Sequence, residues 1–290
     1  MSGVAAASIV VLALISAGAI AGGASHYAVT LGGVALPWLA LVAAFAMQWI
    51  AFVPAYMQQS ERFYDLVGSA TYLVVVAIAL LGGEGDRRAL LLAALISIWA
   101  VRLGSFLFRR IRRDGRDSRF DEIKVSAPRF FVAWTLQGLW VFLTASAAIA
   151  AMATTGAAPL GALDLLGAGL WFVGFGIEVI ADRQKSAFRA DNPGRFVDRG
   201  LWRWSRHPNY FGEVLLWVGV AVIAASTLQG WQWVTLVSPM FVLFLLTKVS
   251  GLPQLEQSAD ERWGDEPAYH AYKSQTPILV PRPPRTRSVP

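Results

Sequence analysis

The chain has 290 residues, 56% of them hydrophobic and 15% charged, with a formal net charge of +6. A soluble domain carries about 25% charged residues, so the composition excludes an ordinary soluble fold and points to an integral membrane protein. There is no cysteine and there are three histidines, His26, His207 and His270, which excludes disulfides and thiolate chemistry and leaves too few imidazoles for a multi-histidine centre, so no metal is expected.

A membrane-spanning helix needs about 20 apolar residues. Eight apolar segments run roughly over 4–24, 35–57, 65–83, 88–108, 130–152, 161–181, 210–226 and 231–249. The first lacks a basic start and a cleavage site and reads as a retained span, not a signal peptide. The second and third are nearly joined through "QQSERFYD". The seventh is the shortest and reads as a half-span or one arm of a hairpin. The prediction is an all-α, polytopic membrane helical bundle of seven to eight spans. It forms a single domain over 1–282, followed by a Pro- and Arg-rich disordered tail at 283–290.

Charge gives the orientation. Arg109, Arg110, Arg112, Arg113, Arg116, Arg119, Lys124 and Arg129 follow the fourth segment, and Arg183 to Arg206 follow the sixth. The connections near 153–160 and 227–230 carry no Lys or Arg. Basic loops face the cytoplasm, so both termini are expected there, as in a bacterial inner-membrane protein. This also accounts for the positive net charge without nucleic acid as a partner. Arg87 and Arg88 in "GGEGDRR" run against the pattern.

Three stretches carry chemistry. In "GIEVIADRQKSAFRADNPGRF", Glu178 and Asp182 are four residues apart and share a helix face that Lys185 and Arg189 continue. A carboxylate as deep as Glu178 costs a few kcal/mol unless it meets a partner or a wet cavity. Pro193 and Gly194 then break the helix. In "LWRWSRHPNYFGE", Arg206, His207, Asn209, Tyr210 and Glu213 gather at the mouth of the seventh segment. Pro208 suits a first helical turn, the helix amides there favour anions, and Arg206 suits a bidentate phosphate clamp. Trp202 and Trp204 read as interfacial aromatics. In "LPQLEQSADERWGDEPAYHAYK", Glu256, Asp260 and Arg262 fall on a short helix, with Trp263, Tyr269 and Tyr272 beyond. Cations, aromatic faces and a helix mouth suit a cofactor with several phosphates and a flat base. No GxGxxG between a strand and a helix is present, so a dinucleotide has to be held by helices.

These residues carry a resemblance. "GLWRWSRHPNYFGEVLLWVGV", with "ADRQKSAFR" upstream and "LEQSADERWG" downstream, resembles the steroid 5-alpha-reductase family, in particular its bacterial branch. The same C-terminal architecture recurs in sterol C14 and C7 reductases. The likeness covers roughly residues 55–282 and is strongest over 176–282. It implies a seven-spanning helical fold and NADPH-dependent reduction of a carbon–carbon double bond conjugated to a ketone. The substrate would be a lipophilic, steroid-like enone entering from the membrane lipids. The cofactor half would be about 160–282, with cytoplasmic loops and the C-terminal tail covering the cofactor.

By the resemblance, Glu178, Asp182 and Arg189 match polar positions lining the cofactor pocket, and Arg195 a further basic contact. Asn209 and Glu213 match the family's Asn-aromatic-x-Gly-Glu element. Glu256 and Arg262 fall in the element closing over the adenosine. Lys185, Arg206, His207 and Tyr210 join them as cofactor contacts. At the substrate end the family uses a Glu and a Tyr on the ketone. Glu61 takes the Glu position, with Tyr64 and Gln59 beside it as catalytic candidates. The Tyr position holds Trp99, near Arg102, so Tyr64 or Tyr72 takes that role or the substrate differs. A buried carboxyl at Glu61 is expected to be protonated and to donate to the carbonyl oxygen.

Two other classes remain. Isoprenylcysteine-type carboxyl methyltransferases share an "RHPNY"-like element and use S-adenosylmethionine. That cofactor has no phosphate, whereas seven basic residues lie between Arg183 and Arg206. A lipid-binding membrane scaffold without turnover would accommodate Trp99 where the family has Tyr.

Overall fold

A computed structural model describes residues 2–156 and 159–284; residues 285–290 of the expected disordered tail lie outside them. All eight apolar segments are helical and long enough to cross a membrane, so the chain is an integral multi-pass membrane protein. The chain divides into two compact units. The first comprises residues 1–165 and 220–238, the second 166–219 and 239–290.

In the first unit, α1 (Gly3–Ala24) starts at Ser2, whose hydroxyl accepts the Ala5 N–H at 3.2 Å. A hairpin of β1 (Thr30–Leu31) and β2 (Val34–Ala35) turns at Gly32 and Gly33, with φ of 60° and 82°, values that favour glycine. Then come α2 (Leu36–Met57), α3 (Tyr64–Gly82), α4 (Arg87–Asp114) and α5 (Ala127–Ala153). Asp86 caps α4 by accepting the Arg88 and Ala89 N–H groups, and Gly115, with φ of 80°, ends it.

Helix α5 is the centre of this unit. Helices α1, α2, α3 and α4 all pack on it, and its last turns are alanine-rich and fully buried. Small side chains let helix backbones approach where lipid supplies no hydrophobic drive between helices. Polar pairs add to this packing: Gln48 donates to Thr71 at 2.8 Å, and Trp49 to Thr135 at 3.1 Å.

The exception to the charge pattern has a local cause. Arg88 and Asp164 are 3% and 2% exposed and form a bidentate pair at 2.7 and 2.9 Å. Arg88 also donates to the Pro159 carbonyl, and Asp164 accepts the Gly161 N–H. Its charge is spent inside the protein and does not read as a loop signal.

In the second unit, α6 (Ala162–Asp191) and α7 (Pro208–Ala225) run antiparallel in close contact. A Cβ on Gly174 would meet the Gly212 oxygen at 2.6 Å, and one on Gly219 would meet the Gly167 oxygen at 2.5 Å. Helix α6 is 30 residues long, far beyond its predicted apolar run, because its polar last turns continue the helix to the break at Pro193 and Gly194. Helix α7 has 18 residues, about 27 Å of rise, and is the shortest of the eight spans.

The eighth segment differs from the expected single helix. It begins as a tight turn over Gly230–Leu236, becomes α8 (Val237–Phe244), and widens into a π-helical turn over Leu245–Val249. After a break at Ser250 and Gly251, the second unit ends with α9 (Leu252–Trp263) and α10 (Pro267–Gln275).

Candidate cofactor site

The polar end of α6 organises the segment that follows it. Gln184 accepts the Leu201 N–H at 2.9 Å, and a Cβ on Gly200, whose φ is 59°, would strike that glutamine. Trp202 donates its indole N–H to the Ala181 carbonyl at 3.0 Å. The Lys185 ammonium sits 4.7 Å from the Trp202 ring centre, a cation–π contact. Trp202 is thus buried against α6, not a belt residue, while Trp204 is exposed.

The chain after α10 returns along the same segment as a strap. The Arg206 N–H donates to the Pro277 carbonyl and the Arg282 N–H to the Trp204 carbonyl, both at 2.9 Å. The Ser205 hydroxyl donates to the Leu279 carbonyl at 2.8 Å and accepts the His207 N–H at 3.1 Å. Tyr272 donates to the Trp202 carbonyl at 2.7 Å.

Glu256 on α9 is the electrostatic hub. One of its oxygens makes a close ion pair with Arg206, and the other bonds His207 Nε2 at 2.7 Å. Lys273 approaches at 3.8 Å and also binds Asp260 at 2.5 and 2.7 Å. The His207 ring stacks on Tyr210 with centres 5.8 Å apart. Burial pushes the His207 pKa below its usual value, and Lys185 and Arg206 push the same way against the pull of Glu256. The imidazole is therefore neutral at pH 7. Nε2 carries the proton toward the carboxylate, and Nδ1 is left as a buried acceptor with no partner. Arg206 Nε is likewise buried without a partner. Burial raises the phenol pKa values of Tyr269 and Tyr272, so both stay protonated.

The structure thus gathers Lys185, Arg206, His207, Tyr210 and Glu256 at the start of α7. Glu178 and Asp182, 2% and 6% exposed, lie one turn apart on α6, and Glu213 is buried on α7. The backbone of Gly212 rests on that of Glu178, so these carboxylates follow the α6–α7 contact. Asn209 is half-buried in the first turn of α7. Arg189, Arg195 and Arg262 are exposed. Trp263 donates to the Gly194 carbonyl at 2.6 Å, and Phe196 stacks among Trp263, Tyr269 and Tyr272, which draws residue 195 beside α9 and α10. Sequence reasoning missed Gln184, Lys273 and the strap. The Lys273 signal lies in its spacing after Asp260, and the strap has no local signal because its bonds are to backbone.

In the first unit, Glu61 is buried but ion-paired with Lys124 at 2.8 Å, and it accepts the Asp117 N–H at 2.9 Å. Burial raises its pKa, yet Lys124 and the Asp117 amide outweigh this and hold it below the usual range. The expected protonated carboxyl is therefore corrected to a carboxylate. Tyr64 donates to the Ala133 carbonyl at 2.8 Å and packs on Phe120 and Trp134. Gln59 is exposed with φ of 49°, and its amide donates to the Tyr56 carbonyl, closing the end of α2. Tyr72 and Trp99 are both buried in an edge-to-face pair with centres 5.0 Å apart, so a phenol lies beside the tryptophan.

Among the described residues, no group of three or more His, Asp or Glu side chains is arranged to hold a metal ion. An uncharacterized protein of Schizosaccharomyces pombe is 26% identical over 258 residues, covering 77% of this chain and 72% of the yeast chain. No solved structure matches. The model of a family described as a protein of unknown function, DUF1295, matches residues 51–276, from the end of α2 through α10, and the chain belongs to that family.

Proposed function

We propose that this protein is an NADPH-dependent, membrane-embedded reductase of the carbon–carbon double bond of a lipophilic enone. The observation that carries the reading is the cluster at the start of α7. There Arg206, His207 and Lys273 meet a single carboxylate, Glu256, and the Arg206 Nε–H is buried without a partner among the described residues. Cations that share a carboxylate, with an unspent N–H donor on Arg206, fit a phosphate-bearing ligand. The carboxylates Glu178, Asp182 and Glu213 and the amide of Asn209 suit the hydroxyl and amide groups of the rest of a dinucleotide. Arg189, Arg195 and Arg262 form the outer rim of the site in this reading.

Bound NADPH supplies the hydride. The protein has to exclude water and place a donor on the substrate carbonyl, worth a few kcal/mol as charge develops there. Glu61 pairs with Lys124 and the Tyr64 hydroxyl bonds a backbone carbonyl; Tyr72 packs on Trp99, which holds the position where the resemblance expects a tyrosine, and in this reading its phenol donates. The orientation follows the basic loops, with both termini in the cytoplasm.

The test is thermal stabilisation of the purified protein in detergent by NADPH, NADH and S-adenosylmethionine, followed by NADPH oxidation with steroidal and polyprenyl enones. NADPH is expected to stabilise the protein, and Arg206→Ala and Asn209→Ala to weaken its binding. Tyr72→Phe is expected to lower enone-dependent turnover at least tenfold with NADPH affinity retained. Stabilisation by S-adenosylmethionine alone would identify a methyltransferase instead. NADPH binding without turnover on any enone would favour the scaffold.

A further inference from the structure

The strap that returns along residues 204–206 walls a polar cleft of about 420 Å³. Three cations line it: Arg206 from the start of α7, Lys273 from the last turn of α10, and Arg282 from the strap. Ser274, Gln275 and Thr276 complete one wall with polar side chains. The carboxylates nearest these cations are Glu256 and Asp260. Arg206 is paired with the first, and Lys273 with both. Arg282 is exposed, and its backbone, not its side chain, is what the strap uses. Arg206 keeps its buried Nε free of any partner. Among the described residues, the cleft therefore holds one more positive charge than its carboxylates balance, on three side chains contributed by three separate elements. The backbone bonds of the strap fix Arg282 beside Arg206, and its exposed side chain is left facing the cleft. The ligand that fits is a small, doubly charged anion able to take several N–H donors at once.

We infer that this cleft is a phosphomonoester site, which rests on the cofactor reading in taking the 2′-phosphate of NADPH as its natural occupant. A 2′-phosphate is a terminal monoester and wants a dedicated cation, whereas the pyrophosphate shared with NADH is a diester. The cleft is thus the element that separates the two cofactors. The same chemistry would accept a lipid phosphomonoester headgroup, so the test must separate the two sources.

The experiment uses the full chain in detergent and the variants Arg282→Gln and Lys273→Gln. Affinities are measured for NADPH, NADH, adenosine 2′-monophosphate and adenosine, and co-flotation is scored with phosphatidylcholine vesicles with or without phosphatidic acid. Each variant is expected to weaken NADPH and adenosine 2′-monophosphate about tenfold or more, leaving NADH and adenosine unchanged. Arg282→Gln removes an exposed side chain that pairs with none of the described residues, so loss of folding does not explain its effect. If NADPH binds and the variants leave it unchanged, or weaken NADPH and NADH equally, the cleft is not the phosphate site, while the cofactor reading stands. If no nicotinamide nucleotide binds but phosphatidic acid vesicles do, in a manner lost in both variants, the phosphomonoester site stands and the cofactor reading falls. If no phosphate-bearing probe binds, the inference is overturned.

Discussion

Gly174→Ala tests the packing that positions the carboxylates of α6 against α7. A Cβ at residue 174 would lie 2.6 Å from both the Gly212 oxygen and the Leu216 nitrogen, where ordinary contact begins at 3.4 Å. Both obstacles are backbone, so no rotamer change relieves them, and the helices must part by about 1 Å in an interior packed like an organic crystal. Overpacking of this kind costs about 1–3 kcal/mol, less up to about 1 kcal/mol gained by removing a glycine from a helix. The same helix supplies the control. A Cβ on Gly176 or on Gly169 meets nothing within 4 Å, so Gly176→Ala keeps the gain and takes none of the strain. Thermal unfolding in one detergent should place Gly174→Ala below Gly176→Ala by roughly 2–10 °C. Gly212→Ala should resemble Gly174→Ala, and the double substitution should cost less than the sum, because helices already parted accept the second methyl. Equal melting temperatures for Gly174→Ala and Gly176→Ala would refute the close contact.

Glu61→Gln removes the partner of Lys124 and should cost about 1–3 kcal/mol at pH 7. Because the Glu61 pKa is held below its ordinary value, its contribution is full above that ordinary value and disappears as pH falls through the folded one. The melting gap between wild type and Glu61→Gln should therefore be full above pH 4.5 and narrow as pH falls below it, and a gap independent of pH would mean a neutral carboxyl. Asp164→Asn strands Arg88 and should cost about 3–5 kcal/mol, whereas Arg88→Met with Asp164→Leu should recover much of it, read from folded yield in detergent. Ser205→Ala deletes the hydroxyl that ties the strap to His207. Amide exchange of the peptide spanning Leu279 and Arg282 should accelerate by about tenfold if that bond contributes about 1.4 kcal/mol.

Much of the membrane architecture was legible before any coordinates. Apolar runs of about 20 residues have one stable solution in lipid, a helix that satisfies its own backbone, and all eight were helical. The ends were less legible, because polar turns such as 182–191 propagate an existing helix without needing apolar side chains. The irregular eighth segment escaped for the opposite reason: its composition is uniformly apolar, and only packing around Pro239 and Gly251 decides between a tight, regular or wide turn. At the site, the short-range pattern around Pro208 correctly announced a helix start. Its partner Glu256 lies 49 residues from His207, a distance at which spacing carries no signal. Glu61 shows the limit most clearly. Burial could be anticipated from its neighbours, but the ammonium of Lys124, 63 residues away, reverses the consequence of that burial.

The charged groups of this chain sort by whether their partners exhaust them. Arg88 and Asp164 form a bidentate pair whose remaining donor and acceptor capacity goes to the backbone at Pro159 and Gly161, so nothing is left over for a ligand and the pair serves the fold. Glu61 is similar, with an ammonium on one oxygen and an amide on the other. The start of α7 is different. Glu256 is shared among Arg206, His207 and Lys273, so one carboxylate answers several donors and the Arg206 Nε–H remains buried with nothing among the described residues to bond. An unsatisfied buried donor costs about 1–3 kcal/mol, and a native chain that needed only stability could remove it with a smaller side chain at Arg206. Keeping it is reasonable if an anion completes it, which makes this corner, and not the better-balanced ion pairs of the first unit, the place where binding a phosphate should raise the melting temperature.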